Sequence, residues 1–210
     1  MGFSDNQKII ILLSAIIIVF LTIGTAIAFD TRSSEDDEIP GPKIIVCPAY
    51  DPYILPELTG SVDYVFVAKV NRVEGVVSSP PDSGYSQIVY SAQVVENIKG
   101  ELITDQPIHF QRAGDLSKGG KYYPIIFNDV LPEVGQTYIF YAYAQPDGSL
   151  FMSGETSATP LTSLNYLEAA MPSALQNAPE FVEAVDAYQN QIEGRFELEH
   201  FISVYDVRNY

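Results

Sequence analysis

The side chains most able to do chemistry here are two histidines, His109 and His200, and a single cysteine, Cys47. Glu193, Glu197 and His200 are spaced i, i+4, i+7, so on a helix they would share one face and offer two carboxylates and an imidazole to a metal ion. A trio of this kind on an acidic helix reads first as a solvated face. His109 alternates with Ile108 and Phe110, so on a strand it points outward or fills a polar gap. One cysteine excludes an intrachain disulfide and a cysteine-based zinc cluster. Its ordinary reading is a small, half-buried side chain. The chain has no GxSxG, HExxH, glycine-rich phosphate loop or EF-hand pattern. Carboxylates are plentiful, but nothing selects a pair for acid–base work. The sequence therefore reads as non-enzymatic, with no cofactor and no bound metal.

Charge and hydropathy give the setting. The formal net charge is −16, which repels a phosphate backbone and argues against nucleic-acid partners. Residues 9–28 carry no charge; Lys8 precedes them, and Asp30, Glu35, Asp36, Asp37 and Glu38 follow. This asymmetry predicts export of the C-terminal portion. Ala26, Ile27 and Ala28 fit a small-x-small cleavage site, while the apolar run is also long enough to span a bilayer. Residues 1–28 are thus a signal peptide or a membrane anchor. Both readings place the rest outside the cytoplasm, secreted or held at the cell surface, with membrane contact only through residues 9–28. Residues 29–43 are an acidic linker rich in proline and glycine.

Hydrophobic residues make up 47% of the chain, with 14 Tyr, 11 Phe and no Trp. That composition supports a core and favours β structure. Residues 44–60, broken by Pro48, Pro52 and Pro56, predict an edge strand or extended arm at Ile44, Ile45 and Val46, with at most a short helical turn near Leu55 to Thr59. Period-two alternation predicts strands over 62–77, 85–98, 107–112, 137–144 and 149–153, with a bend at Gly75. The third strand leads into a long irregular connection at 113–134, a length that marks a functional or core-covering loop. The last two strands form a hairpin through Gln145, Pro146, Asp147 and Gly148. The strand at 137–144 is apolar on both faces and should be buried on both. Five such strands predict a mainly β domain over 44–161, a five-stranded antiparallel barrel of the OB-like type. Residues 162–210 predict C-terminal helices. One is capped by Thr162 or Ser163, carries Leu164, Leu167, Ala170 and Met171, and is stopped or kinked by Pro172. The next begins at Pro179 with a stripe of Phe181, Val182, Val185 and Tyr188 that continues to Ile192 and Phe196.

The segments Asp63-Tyr64-Val65-Phe66-Val67-Ala68-Lys69-Val70 and Tyr90 through Lys99-Gly100 resemble the first two barrel strands of the tissue inhibitors of metalloproteinases and the related netrin-like modules. Gly135-Gln136-Thr137-Tyr138, Asp147-Gly148-Ser149-Leu150 and Thr159-Pro160-Leu161 resemble their fourth and fifth strands and exit. The resemblance covers roughly residues 44–170 and implies an OB-like barrel outside the cytoplasm that binds another protein, possibly a protease. In the animal inhibitors a free N-terminal cysteine chelates the protease zinc from an arm stapled by disulfides. Cys47 is the position onto which that role maps, with Pro48, Ala49 and Tyr50 beside it as candidate binding residues. Two departures separate this chain from the family. Cys47 would not be N-terminal after the expected cleavage, and Glu155 stands where the family often has a cysteine. The expectation is a disulfide-free protein-binding module. The alternatives are a metalloprotease inhibitor acting through the Cys47 arm and a structural cell-surface protein.

Overall fold

The computed structural model of the chain describes residues 51–77, 85–126, 128–152, 154–165, 168–192 and 199–210. The described residues form seven strands: β1 (Tyr64–Val77), β2 (Gln87–Lys99), β3 (Ile108–Leu116), β4 (Tyr122–Pro124), β5 (Thr137–Ala144), β6 (Leu150–Met152) and β7 (Ala158–Pro160). β1, β2, β3, β6 and β5 neighbour one another in that order, and β5 returns to β1, closing a five-stranded barrel. Tyr64, Phe66, Ala68 and Val70 of β1 fill its interior with Ile88, Tyr90, Phe110, Phe140, Leu150 and Met152. Burying each large apolar side chain contributes roughly 1.5–3 kcal/mol. The Phe110 ring stands 4.8 Å from Phe140 and 5.1 Å from Tyr90.

A barrel this small needs strongly coiled strands, and the register of β1 on β2 shows how that is achieved. Pairing skips Val95 and Ile98 on β2 and Asn71 and Glu74 on β1. Each extra residue is a bulge that bends the strand and adds twist. The expected bend at Gly75 falls beside one of them, with φ at 146°. The bulges also turn Ile98 off the inward row of Ile88 to Val94, and it packs with Val95 on the outer cluster.

Two expectations are corrected. The barrel is not wholly antiparallel, because Phe110, Gln111 and Arg112 of β3 pair in parallel with Leu150, Phe151 and Met152 of β6. The connection after β3 crosses the barrel end and delivers β5 to β1, so the hairpin return runs alongside β3 in the same direction. That connection is also less irregular than its composition implied, since β4 folds back on the end of β3.

The outer face of β1 and β5 is covered, as a strand apolar on both sides requires. Helices α1 (Leu55–Ser61), α2 (Pro172–Leu175) and α3 (Pro179–Gln189) lie after the arm and after β7. Leu58, Leu175, Phe181 and Ala184 pack with Val65, Val67, Ile139 and Tyr141. Pro179 opens α3 as expected. The stripe is narrower than predicted: Phe181 is buried, whereas Val182 is 51% exposed, and the smaller Ala184 and Ala187 complete the contact. Among the described residues no helix starts at Thr162 or Ser163, and a 3-10 turn spans Glu168–Ala170. The Glu180 carboxylate takes the backbone N–H groups and the hydroxyls of Thr162 and Ser163. No helix among the described residues is long and apolar enough to cross a membrane, and residues 9–28 lie outside them.

Residues 199–210 form a strap across one barrel end rather than a continued helix. Ile103 N–H bonds the Tyr205 carbonyl, Val207 N–H bonds Glu101, and Val204 N–H bonds Gly148 in the hairpin turn. Gly148 has φ 78°, and a Cβ there would stand 2.6 Å from Val204, so both the turn and the strap require glycine. Asp206 is fully buried beneath the strap. Its carboxylate accepts from Tyr64 Oη at 2.8 Å and from Arg208 Nε at 2.8 Å. The Arg208 guanidinium holds the Asp206 carboxyl at about 2, against burial, which pushes it up. The unfolded carboxyl titrates near ~3.9, so ionised Asp206 stabilises the fold above that value and the contribution is lost as pH falls toward about 2. Thermal melts of the full chain between those pH values should show the wild-type midpoint falling more steeply than that of Asp206→Asn.

Candidate functional site

The candidate binding residues Cys47, Pro48, Ala49 and Tyr50 lie outside the described residues, as does the loop at 78–84. The arm is described from Asp51, and its root is fixed by local hydrogen bonds. Asp51 Oδ1 accepts from Tyr53 N–H at 3.0 Å, and Glu57 Oε2 accepts from Asp51 N–H at 3.0 Å. Pro56 sits in the first turn of α1, where its missing N–H costs nothing. The Tyr53 hydroxyl then donates to Glu155 Oε2 at 2.9 Å. That carboxylate, as hydrogen-bond acceptor and nearby charge, raises the Tyr53 hydroxyl above its ordinary value. Glu155 therefore makes a polar contact between arm and barrel at the position where the resemblance would put a cysteine.

Glu155 belongs to a short 3-10 bulge between β6 and β7. Both strands pair with the same edge of β5, so they are one barrel strand interrupted by this bulge. Only β6 reaches β3. Beyond Arg112 and Met152 the two sides of the seam are not joined by backbone hydrogen bonds among the described residues. Arg112 spans the opening. It follows Ile108 and Phe110 on the inward face of β3 and is fully buried. Nη1 donates to Ser157 Oγ at 2.8 Å. Nη2 donates to Asp129 Oδ1, to the Val130 carbonyl at 3.3 Å and to the Gly154 carbonyl at 3.3 Å. Arg112 Nε and Asp129 Oδ2 are buried without a hydrogen-bond partner. Burial pushes the neighbouring Tyr90 hydroxyl up to about 12, with Arg112 acting against it, so Tyr90 adds no charge.

The connection before β5 is shaped around the same guanidinium. Asn128 takes φ 60°, a left-handed conformation that asparagine tolerates better than most residues. The next residue, Asp129, turns inward, and Oδ1 also accepts the Val130 N–H at 2.8 Å. Val130 then points outward, 71% exposed, and Val134 is also exposed. Leu131 packs back on the barrel core. The arm root, the bulge and this connection are thus joined by side-chain bonds around Arg112.

The two histidines serve surface contacts. His109 points outward, as its alternation predicted, with Nδ1 3.0 Å from Tyr205 Oη and Nε2 3.3 Å from Glu74. His200 Nδ1 lies 2.6 Å from Asp63 Oδ1. Glu193 and Glu197 lie outside the described residues, so the face they were expected to share with His200 is not described. No group of three or more metal-ligating side chains occurs among the described residues. Between the end of β2, α3 and the strap lies an open groove of about 530 Å³, with Glu96, Glu101, Tyr188 and Val207 on its walls.

Arg112 and Asp129 are the residues that sequence reasoning passed over. A signal existed: the row Ile108, Phe110, Arg112 places a charge at an inward position, which demands a buried counter-charge. No family model matches the chain, and no curated protein matches it.

Removing one member of a buried ion pair costs about 3–5 kcal/mol, whereas replacing both by apolar groups is often neutral. Urea unfolding should therefore show Asp129→Ala destabilised by that amount. The double variant Arg112→Met, Asp129→Leu should recover most of the loss.

Proposed function

We propose that residues 44–161 form an OB-like, non-catalytic protein-binding module carried outside the cytoplasm by residues 9–28. The strand order, with the third and fifth barrel strands parallel and the fourth returning to the first, supports the OB-like reading. OB folds bind through loops and strand faces at one end of the barrel. The observation that carries the proposal is the hydrogen bond from Tyr53 to Glu155. It fixes the root of the arm beside the bulge at 154–157, which also meets the connection bearing Val130. A disulfide-free chain thereby holds an arm against its barrel, in the arrangement that the resemblance to the metalloproteinase inhibitors implies. The contact surface then comprises Cys47, Pro48, Ala49 and Tyr50 on the arm with Val130 and Val134 on the connection.

A narrower reading, implied by the resemblance to the metalloproteinase inhibitors, is inhibition of a zinc protease through the Cys47 arm. The test is site-specific photo-crosslinking on the exported full-length chain, with the reactive residue at Tyr50, at Val130, or at Val207 on the strap as a control. The proposal expects one partner protein captured from positions 50 and 130 and not from 207. Capture from 207 alone, or of different partners from 50 and 130, would contradict it. A captured zinc protease whose activity falls with the wild-type chain, and not with Cys47→Ala, selects the inhibitor reading.

A further inference from the structure

We infer that the bulge at residues 154–157 couples the arm root to the connection at 128–134, with Arg112 as the shared positioning residue. The bulge is held from both sides. On its outer side Glu155 accepts from Tyr53 of the arm. On its inner side Ser157 Oγ and the Gly154 carbonyl accept from Arg112, and Ser157 Oγ donates to that same carbonyl at 2.7 Å. Gly154 has φ 89°, a conformation that turns the chain out of the β5 ladder and that side-chain-bearing residues rarely adopt. The guanidinium meanwhile holds the connection through Asp129 and the Val130 carbonyl.

A guanidinium is a rigid planar fork, so its two hands cannot move independently. Nη2 serves the bulge and the connection at once. A buried charge must keep its counter-charge, so Arg112 follows Asp129 when the connection shifts. The bulge then loses its inner support, and Tyr53 loses its acceptor. The coupling is reciprocal, as linkage requires: a partner that orders the arm also orders the connection. The inference deepens the binding reading by giving its two contact elements one shared support.

The test is hydrogen–deuterium exchange on the full chain, read over residues 51–58, 126–136, 154–160 and 199–210. Ser157→Ala removes one hand of the bulge contact and leaves the ion pair intact; Asp129→Asn weakens the other hand. Each should accelerate exchange by about threefold or more in both 51–58 and 126–136. Tyr64→Phe, which removes the hydroxyl shared by Asp206 and Ser203, is the control for general loosening and should act on 199–210 alone. If Ser157→Ala changes only 154–160, or if all variants accelerate 51–58 alike, the coupling does not exist. Because exchange is read rather than capture, this outcome is separate from failure of the binding reading.

Discussion

A positive charge sealed inside an apolar barrel constrains everything around it. Arg112 is as buried as Phe110 beside it, and a guanidinium taken out of water must have acceptors on both hands. The chain supplies them from two places distant in sequence: Asp129 with Val130, and Gly154 with Ser157. The cost of desolvation is offset by tying together segments that no backbone ladder joins. The seam between β3 and β7 is held by a side chain where backbone pairing ends.

The rest of the architecture follows from closing five strongly twisted strands. Bulges on β1 and β2 supply the curvature. Closure leaves β1 and β5 with apolar outer faces, and α1, α2 and α3 cover them. The two barrel ends use different devices. One carries the Arg112 cluster and the arm root. The other is crossed by the strap, whose own buried charge, Asp206, is satisfied by Tyr64 and Arg208. Each device places a charge under a segment without regular structure, which fixes geometry where apolar packing alone would allow the segment to slide.

What the sequence revealed depended on range. Alternation located β1, β2 and β5, and Pro146, Asp147 and Gly148 located the hairpin turn, because each signal is local. The bulges at Val95 and Ile98 appear in sequence only as broken alternation, so the outward turn of Ile98 was not legible. The parallel β3–β6 pair depends on how a long connection crosses the barrel, which no local pattern encodes. The bonds from Thr162 and Ser163 to the Glu180 carboxylate of α3 join residues far apart in sequence, so no local pattern encodes them. At the candidate site, the short helical turn that ends the expected arm was legible from its prolines, and residues 44–50 lie outside the described residues. The support was not, since Tyr53 and Glu155 are ordinary exposed residues until folding brings them together. Arg112 was legible in principle by its inward register, but its partner Asp129 was not, because nothing local to Asp129 says that it turns inward.

The central claim is that Arg112 is held by both hands across the barrel seam. Nitrogen-15 NMR of the full-length chain tests it most directly, through the side-chain resonances of Arg112. A guanidinium bonded to Ser157 on Nη1 and to Asp129 on Nη2 cannot rotate freely about its Cζ–Nη bonds, so the account predicts separate, slowly exchanging Nη1 and Nη2 signals with protected protons. A single averaged signal exchanging rapidly with water would contradict it.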